Sequence, residues 1–228
     1  NYLNIEGESN TLHNGLVRID VAGAGNGNDS IIIANSYIGD IKIGGSANLP
    51  GIGIICKGTI GKENNDIMIR NNHFVDIFNM SVSVPTAAIL ISAGSERISI
   101  IKNHMFQTTA YPPLTRQSAS IYFVHTIRGH QINENFLGGS DTSCIGTPYI
   151  ISGSAQFCGI YFDLSMSGSA NEINNNCISN ITYTFSNTIS TTFYPLVGVK
   201  IAGDAPVSIG AFGNGNIIGS KTSARRLI

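Results

Sequence analysis

Two short patterns alternate along this chain, always in the same order, and no other feature restricts its fold as strongly. The first reads apolar-x-apolar, usually after Gly: Gly15-Leu16-Val17-Arg18-Ile19, Gly53-Ile54-Ile55-Cys56, Ala88-Ile89-Leu90-Ile91, Ser120-Ile121-Tyr122-Phe123, Gly159-Ile160-Tyr161-Phe162 and Gly198-Val199-Lys200-Ile201. Its lead apolar residues, 16, 54, 89, 121, 160 and 199, recur at spacings of 38, 35, 32, 39 and 39. The second reads Ile-x-Ile-x-Asn, two residues, then a large apolar residue. Clear copies are Ile31-Ile32-Ile33-Ala34-Asn35-Ser36-Tyr37-Ile38, Ile67-Met68-Ile69-Arg70-Asn71-Asn72-His73-Phe74 and Ile100-Ile101-Lys102-Asn103-His104-Met105-Phe106. Looser copies run over Ile132–Leu137, Ile173–Ile178 and Ile209–Ile218. A period of this length marks a repeat architecture in which each unit buries its apolar face only against its neighbours.

Each unit fits one coil of a solenoid. Alternating Ile-x-Ile is a strand with one buried face, and β-branched Ile suits a pleated, half-buried surface. Gly and Asn tolerate the left-handed backbone of the corners. Asn at equivalent places in successive coils would lie about 4.8 Å from its copy, close enough for side-chain amides to bond up the stack. Asn35, Asn71, Asn103, Asn135, Asn175 and Asn214 are therefore expected to form a structural ladder. The composition agrees. With 42% hydrophobic and 12% charged residues the chain can form a core and is not of the disordered class. The scarcity of Ala, Leu, Glu and Lys disfavours long helices.

These coils resemble right-handed parallel β-helix repeats, the fold of pectate-lyase-like proteins, over essentially the whole chain. Asn135-Phe136-Leu137-Gly138-Gly139-Ser140, Cys144-Ile145-Gly146-Thr147 and Asn214-Gly215-Asn216-Ile217-Ile218-Gly219-Ser220 further resemble β-helix regions of secreted surface proteins of the Bacteroidetes type. The resemblance implies a right-handed, single-stranded parallel β-helix of about six coils over residues 1–228, and a secreted or cell-surface location. The expected domain is all-β, with longer loops on one side.

The return stretch from the second pattern to the next copy of the first varies most in length. Insertions therefore gather on one side, where function usually lives. This side holds Tyr111, Tyr149, Tyr183, Phe185, Phe193 and Tyr194 among many Ser and Thr. Aromatic rings beside hydroxyls suit a polysaccharide or cell-surface glycan, so Tyr111, Tyr149, Tyr183 and Tyr194 are the expected ligand-binding residues; packing of the loops onto the coils is the plainer alternative.

Catalytic signals are sparse. Glycoside hydrolysis needs two carboxylates across one bond, and the long connections 107–119, 141–157 and 182–197 contain only Asp141. Polysaccharide lyases of the resembled fold generally use a basic residue, for which Arg116 and Arg128 are the available candidates. Asp40 and Asp76 follow equivalent apolar markers and are expected on adjacent coils, where calcium would relieve their repulsion; a solvated, splayed pair is the alternative. His73 and His104 align just after the Asn corner, where two stacked imidazoles would suit a metal; an exposed corner choice is the plainer alternative. Of the four cysteines, Cys56 and Cys177 read as buried thiols, while Cys144 and Cys158 are either a short disulfide or two free thiols.

With 13 basic and 14 acidic residues the net charge is −1, which argues against a nucleic-acid partner. No apolar run reaches the length of a membrane-spanning helix, and the N-terminus has no basic segment leading into an apolar run. The chain is expected to be part of a longer protein, to continue or dock beyond Ile228, and to bind a glycan or surface polymer. A carbohydrate-active enzyme and a structural spacer are the alternatives.

Overall fold

The computed structural model describes residues 3–5, 15–21, 26–39, 50–77, 85–109, 113–126, 128–164, 169–185, 194–211 and 213–219. These form an all-β parallel solenoid of about five turns, slightly fewer than the repeat count suggested. Among the described residues the only helical turn is a short 3-10 segment, Thr142–Cys144.

Three parallel sheets run along the stack. The first contains Val17–Asp20, Ile52–Lys57, Ala87–Ile91, Ser118–Thr126, Phe157–Leu164 and Leu196–Gly203. The second contains Ile32–Ala34, Met68–Arg70, Ser99–Ile101, Gln131–Asn133, Asn171–Asn174 and Val207–Ile209. The third contains Leu3–Ile5, Ser36–Gly39, His73–Val75, His104–Phe106, Phe136–Leu137, Cys177–Ile178 and Ile217–Ile218. Within these three sheets every strand pairing is parallel, because each strand meets its copy one coil on and the intervening chain is the rest of a turn.

The core consists of stacked inward rows. Ile54, Ile89, Ile121 and Ile160 line the first sheet, Ile69, Ile100, Ile132 and Ile173 the second, and Ile38, Phe74, Met105, Leu137 and Ile178 the third; all are buried. The register corrects the repeat alignment in two places. Val17, not Leu16, pairs with Ile54, and Met105, not Phe106, pairs with Phe74.

The tight corner between the second and third sheets also reads differently from the sequence expectation. Ile69, Ile100, Ile132 and Ile173 share a row, so the next-but-one position holds Asn71, Lys102, Glu134 and Asn175. With Asn35 these residues have φ between 53° and 58°, the left-handed region. The ladder lies one residue further on, through Asn72, Asn103, Asn135, Asn176 and Asn216. Each backbone N–H and side-chain amide of Asn72, Asn103, Asn135 and Asn176 donates to the Oδ1 of the next Asn, at 2.9–3.1 Å. The same amides also donate to Ile33, Ile69, Ile100 and Ile132 carbonyls of the preceding coil. Ser36 closes the described ladder, donating its N–H to Asn72 Oδ1 at 3.1 Å. Of the six residues expected in the ladder, Asn103 and Asn135 belong to it, while Asn35, Asn71 and Asn175 stand at the outer corner. Asn214 accepts from Asn175 in that outer row.

The described part of the insertion side includes strands. Tyr149–Gly153 pairs in parallel with Ile181–Phe185, and Leu114 bridges Gly153. This adds a small sheet between the third and first sheets at the later coils.

Candidate functional site

At each corner, three consecutive residues point differently. Asn72 and its copies turn inward to make the ladder, while the residues before and after them face outward. Two outward rows with an inward row between them make a channel along the solenoid axis. The channel is a groove of about 590 Å³ lined by Asn35, Asn71, Lys102, Glu134 and Asn175 on one wall and His73, His104 and Phe136 on the other. From Asn35 to Asn175 it crosses four coil steps, about 19 Å at roughly 4.8 Å per step.

The second wall is a ring ladder. Tyr37, His73, His104 and Phe136 occupy one register position on successive coils, with ring centroids 4.6, 5.1 and 4.9 Å apart. His104 and Phe136 lie nearly parallel, 6° between planes. Tyr37 and His73 meet edge-on at 64°, and His73 and His104 are tilted by 56°. This wall therefore offers imidazole N–H and lone-pair groups together with ring surface.

The insertion after Leu137 fixes one of these rings. Asp141 accepts from Thr142 N–H and starts the short turn, and Ser143 N–H then donates to His104 Nδ1 at 2.9 Å. Burial, together with the His73 ring, pushes the His104 pKa down to about 4, against the opposing effect of Asp141. Burial also lowers the pKa of His73, again opposed by Asp141. Both imidazoles are disposed to stay neutral. A neutral His104 whose Nδ1 accepts a hydrogen bond carries its proton on Nε2, so Nε2 has no lone pair for a metal while that bond holds. The aligned pair anticipated from sequence is present, as packed rings. Among the described residues no three His, Cys, Asp or Glu side chains gather as a metal site.

Across the groove Lys102 Nζ lies 3.4 Å from Glu134 Oε2, with both side chains about half exposed. An exposed pair of this kind contributes about 0–1 kcal/mol, so either partner can turn to a ligand at little cost. The wall is otherwise amide, and the pair is neutral as a unit.

The residues expected to bind ligand from sequence are not gathered here. Tyr111 and Phe193 lie outside the described residues. Tyr149 was expected at a surface, but it is only 6% exposed and packs edge-on against Phe157 at 5.7 Å. Its strand alternates inward and outward, and position 149 faces in. Tyr183 is half-buried, donates its hydroxyl to Ala155 O, and is pushed up to about 12 by burial. Of the expected tyrosines among the described residues, only Tyr194 is well exposed, at 67%. Arg128 pairs with Glu96, which also pairs with Arg97, itself forked onto Asp66. Neither Arg116 nor Arg128 lines the groove.

Asp76 is buried, and its oxygens accept from Thr108 N–H at 2.7 Å, Thr109 N–H at 3.3 Å and the Thr108 hydroxyl. These donors come from the following coil. Asp40, its expected partner, lies outside the described residues. All four cysteines are free and buried, so Cys144 and Cys158 are not bridged. Cys144 instead points to Cys177 O at 3.5 Å, and contact with Cys177 together with burial raises its pKa.

Lys102, Glu134 and Phe136 were missed as site residues. The signal existed: aligning Ile69, Ile100 and Ile132 puts Lys102 and Glu134 beside Asn71, and Phe136 beside His104. Compared with protein-family models, curated proteins and solved structures, the chain matches none.

Proposed function

We propose that this chain is a secreted or cell-surface module that binds a glycan or similar extended surface polymer. The binding face is the groove along the Asn corner, not the insertion side. The observation that carries this reading is the groove itself, running along the axis between a wall of amides and a wall of imidazole and phenyl rings. An amide offers a donor and an acceptor together, which pairs well with sugar hydroxyls. An extended glycan advances by a step similar to the coil repeat, so successive sugars meet equivalent rows. Sugar hydrogen bonding to the amides and imidazoles is the expected mode.

The experiment is a glycan array probed with the wild type and with Lys102→Ala/Glu134→Ala, beside a Tyr183→Phe/Tyr194→Ala control. Binding lost in the groove variant and kept in the control supports the reading. No binder on the array, or loss only in the control, overturns it.

A further inference from the structure

Within the groove, His104 is an uncharged lining group with a fixed hydrogen-bond sense. An Asn amide can present either end to a ligand, while Lys102 only donates and Glu134 only accepts, each as a charge. In His104, Ser143 N–H occupies Nδ1 and leaves Nε2–H as its single donor. Nε2 has no partner among the described residues and is not a buried unsatisfied atom. It is therefore available to a ligand in the groove that His104 lines.

The groups that face His104 set the charge a ligand meets. They are the neutral-leaning His73 and the apolar Phe136 on its own wall, Lys102 and Glu134 across the groove, and Asp141 on the insertion. One cation and two carboxylates leave a small negative excess, which disfavours an acidic sugar. A donor-only contact favours an oxygen that only accepts. A hydroxyl can fill that place, but its own hydrogen then needs a second partner. A carbonyl needs none.

We propose that the groove selects a neutral glycan carrying N-acetyl groups, and that His104 is the specificity-determining donor that reads the acetamido carbonyl. This rests on the glycan-binding reading above. It names the substituent that the site recognises. The contact persists across the neutral range, since the imidazole titrates only well below it.

The test measures binding of the full chain to three hexasaccharides, of β-1,4-linked N-acetylglucosamine, β-1,4-linked glucose and galacturonate. Expected is an affinity for the N-acetylated hexamer about tenfold above that for the glucose hexamer, the scale of one hydrogen bond, and weakest binding of galacturonate. His104→Asn keeps an acceptor for Ser143 N–H through Oδ1 but has nothing at the Nε2 place. It should reduce the N-acetyl affinity to the glucose level, with a modest fall in melting temperature from the lost ring contacts with His73 and Phe136. Independently of any variant, ¹⁵N NMR of the wild-type imidazole should show the Nε2–H tautomer, with its signal shifting on addition of the N-acetylated hexamer. Equal affinity for the acetylated and glucose hexamers, or an Nδ1–H tautomer, overturns the role of His104 while leaving glycan binding intact. Preference for galacturonate does the same. Binding of none of the three overturns both readings.

Discussion

Replacing Asn103 by Leu tests the ladder at its centre. Asn103 is fully buried with coils on both sides. Its Oδ1 accepts from Asn72 N–H at 3.0 Å and from Asn72 Nδ2 at 3.1 Å, and its own amide donates to Asn135 Oδ1 and to Ile69 O. Leu has the same branched four-atom side chain, though bulkier, so the change leaves no cavity and removes the polar partners. Two donors on Asn72 lose their acceptor in a space closed to water. Each orphaned group costs about 1–3 kcal/mol, partly offset by about 1–2 kcal/mol from the added apolar side chain. The expected net loss is about 3 kcal/mol, a large share of a typical total stability of about 5–15 kcal/mol. Asn71→Gly is the matched control. Asn71 has φ 53° and its side chain makes no hydrogen bond among the described residues, so Gly, free at that φ, should change stability by less than about 0.5 kcal/mol. Urea unfolding followed by circular dichroism and by tyrosine fluorescence reads both variants. A midpoint shift for Asn103→Leu no larger than that for Asn71→Gly would refute the ladder argument.

Other outcomes follow from single positions. His130 is buried, accepts from Ile98 N–H, and has its pKa pushed down to about 3 by burial. The unfolded chain binds this proton more readily than the native one. Stability should thus fall as pH drops from about 6.5 towards 3, by up to about 1.4 kcal/mol per pH unit. His130→Asn, which keeps an acceptor for Ile98 N–H as Asn171 does for His130, should flatten that slope in melting experiments. Lys102 and Glu134 hold φ of 56° and 58°, which Asn tolerates better. Lys102→Asn and Glu134→Asn should each raise stability by about 0.5–1 kcal/mol in urea titrations, and stability lower than wild type would count against the left-handed corner. Thiol titration should find the four cysteines slow to react in the native protein and all reactive in denaturant; fewer than four on unfolding would reveal a disulfide.

The stack and its strand faces were legible because Ile-x-Ile recurs in every coil, and alternation states which side is buried. The corner was not legible to the residue. Asn suits both a left-handed corner and a buried ladder, so Asn71-Asn72 and Asn175-Asn176 offer two equivalent-looking choices. Only pairing decides between them: Ile69 opposite Ile100 sets Asn72 opposite Asn103. The same one-residue ambiguity misplaced Leu16 and Phe106, since flanking apolar residues compete for one inward position. The insertion side failed for another reason. Tyr149-Ile150-Ile151 carries its own alternation, with exposures of 6%, 48% and 0%. Its composition suggested loops, yet those residues pair with Ile181–Phe185. The groove stayed hidden because its lining comes from equivalent places in five coils, which are neighbours only after the register is known.

That register also separates stability from specificity in this molecule. Of three consecutive corner residues, the middle one is held to Asn by bonds in two directions along the stack. The first must accept a left-handed backbone but is otherwise free, and it varies among Asn, Lys and Glu. The third needs only to stack on its copies, and it varies among Tyr, His, Phe, Cys and Ile. The groove is lined by the first and third positions alone. A ladder of this kind can keep its fold while its ligand chemistry changes, because substitutions that alter the groove do not touch the bonds that hold the corner. His104 is the exception. It is tied to the insertion through Nδ1 and to the groove through Nε2, so there the scaffold sets the hydrogen-bonding sense of the site.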